Sequence, residues 1–325
     1  SPTGRAAKRL AEATGRPAGT IHRLLRFQPQ SGGFEHDADH PLTESLVIID
    51  EISMLDVVLA HQLCKAIAPP TRLLLVGDPD QLPSVGAGNV LRDLISSGII
   101  AVSRLTHIWR QAPGSRIVAN AHAIREGRAP TFPKQGDRFS DFYFFPAEEP
   151  RAAADRVLEV VTDRIPRTFD LDWKCDVQVI SPMYRGECGV DTLNGRLREA
   201  QGTRGREVVH GSERWRVGDR VIQTRNDYEK EVFNGDMGRV ITISRDGLVT
   251  VHYPEQDVVY SGSELKDIRP AFAITVHRSQ GAEFTAVVLP LVMQHRLMLR
   301  RNLLYTAVTR ARRLVVIVGS MRALR

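Results

Sequence analysis

A chain of 325 residues is long enough for two ordinary domains, each with its own core. Its 42% hydrophobic and 25% charged residues are those of a soluble globular protein, and a formal net charge of +6 over this length supports a polyanionic partner only weakly. Three cysteines, Cys64, Cys175 and Cys188, show neither paired spacing nor a neighbouring histidine cluster; they indicate no disulfide framework or zinc site and fit a reducing cytoplasm.

From Thr3 to about Pro130, helical and strand patterns alternate as βα units do. The opening stretch, SPTGRAAKRL, carries no signal or transit pattern and looks like the middle of a domain, a turn feeding a helix over Ala6–Ala13. TIHRLL predicts a short helix or turn, and RFQPQSGGFEHDADHP a hairpin or loop rich in Gly, Pro and His. In LVIIDEISMLD, the run Leu46 to Ile49 has the length and β-branched content of a fully buried parallel strand. A helix near Val57–Ile67, a strand from Leu73 to Val76 and a helix from about Asn89 to Ser96 are expected next. RLTHIWRQAPGSRIVANAHAIREG should begin as a strand and end as a helix, completing one α/β domain.

DFYFFPA and the helical RAAADRVLEVVTDRI open a second unit, and CDVQVISPMYRG supplies its next strand and loop. Between about Arg206 and Ile268 the texture changes to short β segments with Gly turns, which reads as a small antiparallel barrel with a hairpin signal at Asp246-Gly247. Buried strand and helix then return in AITVHRSQG, TAVVLPL, NLLYTAVTRARR and LVVIVGS, so the barrel reads as an insertion. The apolar stretch around Phe284–Met293 contains Pro290 and is too short to span a bilayer.

Two strand ends concentrate the chemistry. Asp50 and Glu51 follow the Leu46 strand, and Gly77, Asp78 and Gln81 follow the Leu73 strand, at the carboxyl ends where open α/β sheets bind ligands. An acidic pair at a strand end can also do no more than cap the next helix. In nucleotide hydrolases an Asp at such a tip holds Mg²⁺, directly or through water, while a nearby Glu or Gln orients the attacking water or senses the γ-phosphate.

Taken in order, SPTGRAAKRL, TIHRLL, VIIDEISMLD, LLLVGDPDQLPSVGAG, LTHIWRQA, AITVHRSQGAEF and NLLYTAVTRAR resemble the successive motifs of superfamily 1 DNA helicases of the RecD-like group, over nearly the whole chain. The resemblance implies two RecA-like parallel-sheet domains that clamp ATP between them and bind single-stranded DNA across their tops. They would occupy residues 1–135 and, around an SH3-like barrel at 206–268, residues 136–205 and 269–325. It further implies that Asp50 binds Mg²⁺, Glu51 activates the hydrolytic water and Gln81 senses the γ-phosphate. Arg110 and Arg310 would neutralise phosphate charge, Arg310 as an arginine finger. Gln280 and Glu283 would touch the nucleotide or link it to DNA movement. Thr3, Thr20 and His22, with Ser181, Thr275 and His277, match DNA-facing loops, and Asn226 in the barrel reads as a turn or DNA-path residue; hydroxyls and imidazoles suit phosphate contacts that need not read sequence. A surface loop is the competing reading of residues 26–41, which match the place of a strand-separating hairpin, or pin. A solvated Arg-rich face and ordinary satisfied histidines remain the alternatives for Arg310, His22 and His277.

One departure stands out: no G-x-x-x-x-G-K-[ST] occurs, so the loop whose amides and Lys cradle the β and γ phosphates is absent from the 325 residues. The family places that loop just before PTGRAAKRL, and the expectation is a first domain truncated at its N-terminus and a chain deficient in ATP hydrolysis. The leading expectation is a cytoplasmic ATP-dependent motor that moves 5′ to 3′ on single-stranded DNA and at junctions with duplex, in repair or recombination, alone or with helicase–nuclease partners. A single-stranded DNA-binding remnant without turnover is the alternative, and a nuclease component, hinted at by Glu264 and Lys266 in SELKD, is a third.

Overall fold

The structure, a computed structural model, describes residues 1–105, 114–133, 140–202, 205–211 and 213–324. The chain divides into two compact units, residues 1–107 and 108–325.

The first unit runs α1 (Gly4–Thr14), α2 (Ile21–Leu24), β1 (Phe27–Gln28), β2 (Gly33–Phe34), β3 (Leu46–Ile49), a 3-10 turn (Ile52–Met54), α3 (Val57–Ala66), β4 (Arg72–Leu75) and α4 (Val90–Ser97). Polar side chains fix where these helices start. The Thr3 hydroxyl accepts from the Ala6 amide at 3.3 Å, Thr20 from Arg23 at 3.2 Å, and Asp56 from Leu59 at 2.8 Å. Gly15, at φ +64°, ends α1 in the left-handed conformation that glycine reaches without a Cβ clash. β3 and β4 pair in parallel, Leu46 opposite Arg72 through Ile49 opposite Leu75. Val47 and Ile49 join Ile21, Leu25, Ile52, Leu59 and Leu63 in the core. Leu46 and Ile48 are 50% and 45% exposed, so β3 is buried on one face only, not on both as its apolar run predicts. Alternate side chains point to opposite faces, and the described residues cover one face of this two-stranded sheet.

The second unit contains α5 (Arg116–Arg125), β5 (Phe142–Pro146), α6 (Pro150–Glu159), α7 (Ile165–Phe169), β6 (Val177–Ser181) and α8 (Val190–Gln201). A hairpin, β7 (Glu207–His210) with β8 (Glu213–Arg216), leads to β9 (Arg220–Gln223), β10 (Met237–Ile243), β11 (Val249–His252), β12 (Asp257–Tyr260) and β13 (Ile268–Pro270). β14 (Ala273–Thr275), β15 (Phe284–Leu291), α9 (Arg301–Val308) and β16 (Ala311–Gly319) follow. Five parallel strands lie in the order β14-β6-β15-β16-β5. The expected antiparallel insertion is a five-stranded sheet, β12-β11-β10-β9-β13, whose β10–β11 hairpin turns through Asp246-Gly247, with Gly247 at φ +81°. Its own core surrounds Trp215, Val221, Val240 and Tyr260. The segment around Arg104 was expected to begin as a strand; Arg104 and Leu105 have no regular structure, and residues 106–113 lie outside the described ones.

The insertion is fastened to the parallel sheet by buried polar bonds. Arg220 on β9 donates to the Val177 carbonyl at 2.6 Å and to Gln178 Oε1 at 2.8 Å, and Gln178 Nε2 donates to the Ala271 and Phe272 carbonyls at 3.1 and 3.0 Å. Arg198 on α8 pairs with Asp219 at 2.7 Å. Burial pushes the Asp219 carboxyl above its ordinary range, although Arg198 pulls the other way. Each donor answers an acceptor that burial would otherwise leave unmet, which is the condition for a low-cost polar seam.

Candidate nucleotide and strand-binding site

In the first unit, the two strand tips stay joined beyond the sheet. The Val76 amide donates to the Ile49 carbonyl at 2.8 Å, and the Ile52 amide to the Val76 carbonyl at 3.0 Å. Gly77 makes this approach possible, because a Cβ there would meet Ile52 Cγ2 at 2.7 Å and the Ile52 nitrogen at 3.1 Å. Asp50 and Glu51 are therefore held beside Asp78 and Gln81 by backbone. Glu51 adopts the left-handed conformation at φ +55°, ψ +40°, uncommon for a residue with a side chain, and Asp50 Oδ1 accepts from its amide at 2.9 Å. Strain of this kind persists where the surroundings over-determine it and gathers at functional sites.

Gln81 carries the clearest open valence. Its Nε2 donates to Asp78 Oδ2 at 3.4 Å, which fixes the amide orientation because an ionised carboxylate only accepts. Oε1 then faces inward, buried and without a hydrogen-bond partner. A water or a phosphate-bound hydroxyl would supply the missing donor. Ser53 Oγ, on the 3-10 turn after Glu51, is likewise buried and unpartnered. Asp78 and Ser53 belong to this site although the motif reading gave them no role. Their signal was position: each lies two or three residues from a residue that motif singled out.

Among the described residues, no group of three or more His, Cys, Asp or Glu is placed to hold a metal ion. Mg²⁺ is commonly held by one or two carboxylates together with waters and substrate phosphates, without such a group. Asp50, half-buried at the end of β3 with Oδ1 accepting from the Glu51 amide at 2.9 Å, is a carboxylate that would fit such a role. The Ser1 nitrogen, ahead of α1, donates to the Gly19 carbonyl at 3.1 Å.

In the second unit, Arg310 is 3% exposed and anchored: Nε donates to the Thr306 carbonyl at 3.1 Å, Nη1 to the Ala282 carbonyl at 3.2 Å, and Nη2 to Thr309 Oγ1 at 3.2 Å. This is not the solvated Arg-rich face that composition alone allows. Glu283 pairs with Arg312 at 2.8 Å, and Gln280 is buried at the end of the 3-10 turn His277–Ser279. Arg110 lies outside the described residues.

The expected strand-facing hydroxyls divide sharply. Thr3 caps α1 and is half-buried, whereas Thr20 caps α2 and is 5% exposed. Ser181 is fully buried, its hydroxyl donating to the Cys188 carbonyl at 2.6 Å, and cannot face a strand in this arrangement. Thr275 is as buried as Thr20, at 5% exposed, and its hydroxyl accepts from the Arg278 amide at 3.3 Å. His22 is exposed and stands 5.8 Å from the rings of both Phe27 and Phe34 on the β1–β2 ribbon. His277 is half-buried, and burial lowers its pKa. Asn226 is exposed in a loop where its Oδ1 accepts from the Asn234 amide at 2.9 Å. The Glu264 carboxylate is committed to Lys230 at 2.6 Å and to the Ser261 amide, which hold its pKa down to about 2.

The chain matches family models in series. Residues 1–87 match an AAA domain, 193–253 the ATP-dependent RecD-like DNA helicase SH3 domain, and 270–318 the UvrD-like helicase C-terminal domain. The ATP-dependent RecD2 DNA helicase of Deinococcus radiodurans is 40% identical over 325 residues, covering 99% of this chain and 43% of that protein. The RecBCD enzyme subunit RecD of Mycolicibacterium smegmatis is 34% identical over 348 residues, covering 98% of this chain and 61% of that subunit. The chain thus spans about half the length of these curated relatives. The Bacteroides Pif1 helicase solved in complex with ADP-AlF3 and ssDNA shares the fold, with a TM-score of 0.57 at 19% identity over 99% of this chain and 82% of that one. A Candida albicans Pif1 structure gives 0.55, also at 19%, over 99% of this chain and 86% of its own. With the ordered motifs, the parallel sheets and a RecD-type SH3 module in one polypeptide, the chain belongs to the RecD-like helicases of superfamily 1.

Proposed function

We propose that this chain carries the working parts of an ATP-driven DNA helicase that moves 5′ to 3′ along single-stranded DNA and acts at junctions with duplex, in DNA repair or recombination. The observation that carries the reading is the pair of joined strand tips, with a strained Glu51 and an unmet Gln81 acceptor on the same backbone frame. The name of the Deinococcus relative supports ATP dependence, and the Pif1 complex supports a single-stranded substrate. The Mycolicibacterium relative is a subunit of a larger enzyme, which supports helicase–nuclease partners as assembly candidates. The domain bounds read from the motifs are 1–135 for the first RecA-like domain, 136–205 with 269–325 for the second and 206–268 for the SH3-like insertion, although α5, within the first of these ranges, lies in the second compact unit.

Asp50 would hold the Mg²⁺ that accompanies ATP, directly or through water, and the ion supplies charge neutralisation at the phosphate oxygens. Glu51 accepts a proton from the attacking water at its carboxylate. Gln81 senses the γ-phosphate. Arg310 and Arg110 neutralise phosphate charge, and Gln280 and Glu283 couple the nucleotide to the strand. Thr3, His22, Thr275, His277 and Asn226 contribute to the DNA path, and the β1–β2 ribbon is the pin. A strand-binding remnant without turnover is the second reading, favoured by the missing G-x-x-x-x-G-K-[ST] within these 325 residues.

Steady-state ATP turnover, measured with and without single-stranded DNA, separates the two readings when run on this chain and on the longest polypeptide its gene encodes. The 325-residue chain should turn over negligibly for want of a phosphate cradle. In a polypeptide that also carries a G-x-x-x-x-G-K-[ST] loop, turnover should need Mg²⁺ and rise with DNA, and Glu51→Gln should slow it by about 10² to 10⁴ with DNA binding retained. Undiminished turnover in Glu51→Gln overturns the motor assignment.

A further inference from the structure

The antiparallel module leaves the second unit's α/β chain after α8 and returns to the parallel sheet between β13 and β14. The return is Ala271 and Phe272 alone, 0% and 2% exposed. Ile268, on β13, belongs to the module's own core, and Phe272, four residues on, belongs to the core of the parallel sheet. Between them Pro270 has a fixed φ and restricts Arg269 before it. A swing of the module about this linker would pull one of the two side chains out of its core.

The linker's backbone is also held by residues of β6, β9 and α8. The Ala271 amide donates to the Arg220 carbonyl at 2.8 Å, and the Phe272 carbonyl accepts from the Val179 amide at 3.2 Å. Gln178 Nε2 donates to the Ala271 and Phe272 carbonyls at 3.1 and 3.0 Å. Asn194 brackets the same stretch: Oδ1 accepts from the Ala273 amide at 2.8 Å, and Nδ2 donates to the Ala273 and Pro270 carbonyls at 2.9 and 3.3 Å. A hinge needs residues free to change φ and ψ, and here such a change would strip buried groups of their partners.

Side chains from the module reach three separate places on the rest of the unit. Arg220, 9% exposed, meets Val177 and Gln178 on β6. Asp219 pairs with Arg198 on α8 at 2.7 Å. Arg239 on β10 donates to the Lys174 carbonyl at 2.7 Å, ahead of β6. A single attachment would leave a pivot; attachments to different elements oppose rotation as well as separation.

We infer that the inserted module and the five-stranded parallel sheet move as one body without a hinge between β13 and β14, and that Arg220, Gln178 and Asn194 are the positioning residues that hold them in register. The inference concerns the protein alone. Its consequence for the motor, that a strand held by the module advances with the second parallel sheet and not relative to it, rests on the strand-tracking reading above.

The test is double electron–electron resonance on the 325-residue chain, spin-labelled through Arg151→Cys on α6 and Thr242→Cys on β10, both exposed, in a Cys64→Ser, Cys175→Ser background. A single narrow distance is expected without DNA, and the same distance with oligo-dT bound. Two distances, or a shift on binding, overturn the inference. Arg220→Ala should broaden the distribution and speed hydrogen exchange at Val179 and Ala271 by about ten- to a hundred-fold, with the amides of β11 and β12 unchanged, because it leaves buried acceptors unmet. Arg220→Lys, which keeps the charge but not the two-pronged contact, replaces it if the alanine variant does not fold. An unchanged distribution and unchanged exchange in the folded variant overturn the positioning role. Failure of oligo-dT to bind counts against the strand-tracking reading, and the DNA-free distribution then decides this inference by itself.

Discussion

Leu46 in β3 is 50% exposed and Leu289 in β15 is 0% exposed, although both sit in apolar runs that read alike as buried parallel strand. The difference lies in the neighbours. Among the described residues β3 pairs with β4 and is covered on one face, whereas β15 lies between β6 and β16 under α6 and α9. A run of Leu, Val and Ile therefore reports a strand that can be buried on both faces, and the number of covered faces is a property of the assembly. The first unit uses its small sheet to hold two tips in fixed register. The second uses a five-stranded sheet as a platform for an inserted module.

The contrast can be broken most forcefully at those two leucines. Leu289→Ala should lower stability by about 2–5 kcal/mol, the range for a buried leucine leaving a cavity. Leu46→Ala should cost about 0.5 kcal/mol or less, as for an exposed position. Urea unfolding followed by hydrogen exchange in peptides of each unit reads both. Equal losses would mean that Leu46 is covered in solution.

Gly77 tests whether the first unit's tips depend on close backbone approach. Gly77→Ala places a methyl against Ile52 Cγ2 and the Ile52 nitrogen, and should cost about 1–3 kcal/mol through local overpacking. Loss of amide protection at Ile52 and Val76 would accompany it, with the second unit's protection unchanged. An unaltered melting profile would show that the tips relax apart freely.

The last expected effect is a pH slope confined to the second unit. His295 is 1% exposed, and burial lowers its pKa from 6.5 to about 4. A base with a depressed folded pKa is protonated first in the unfolded chain. Its contribution is therefore intact above pH 6.5 and declines as pH falls toward 4, by at most about 1.4 kcal/mol per pH unit. Thermal midpoints across that window should show the decline, and His295→Leu should flatten it. A slope that persists in the variant assigns the titration elsewhere.

Much of the architecture was legible because local rules and tertiary demands agree. The β-branched runs, the Asp246-Gly247 hairpin and the Thr and Asp caps each state a backbone preference that the fold keeps. Asp50, Glu51 and Gln81 could be placed at strand ends from the same pattern. Their chemistry could not, because the strained φ of Glu51 and the unmet Oε1 of Gln81 exist only once Gly77 lets the tips close together. Ser181 shows the opposite case: a hydroxyl suited to phosphate by type is committed to the Cys188 carbonyl by its burial in β6.

The sequence by itself determined the order of elements, the inserted antiparallel module and the family, since these follow from periodicity, turn residues and motif order along one dimension. Tertiary structure alone decided which polar groups were already satisfied, which face of β3 stayed open, and that Gln178, Asn194 and Arg220 converge on one linker. Burial and hydrogen-bond satisfaction depend on atoms brought together from distant parts of the chain, and no local pattern encodes them.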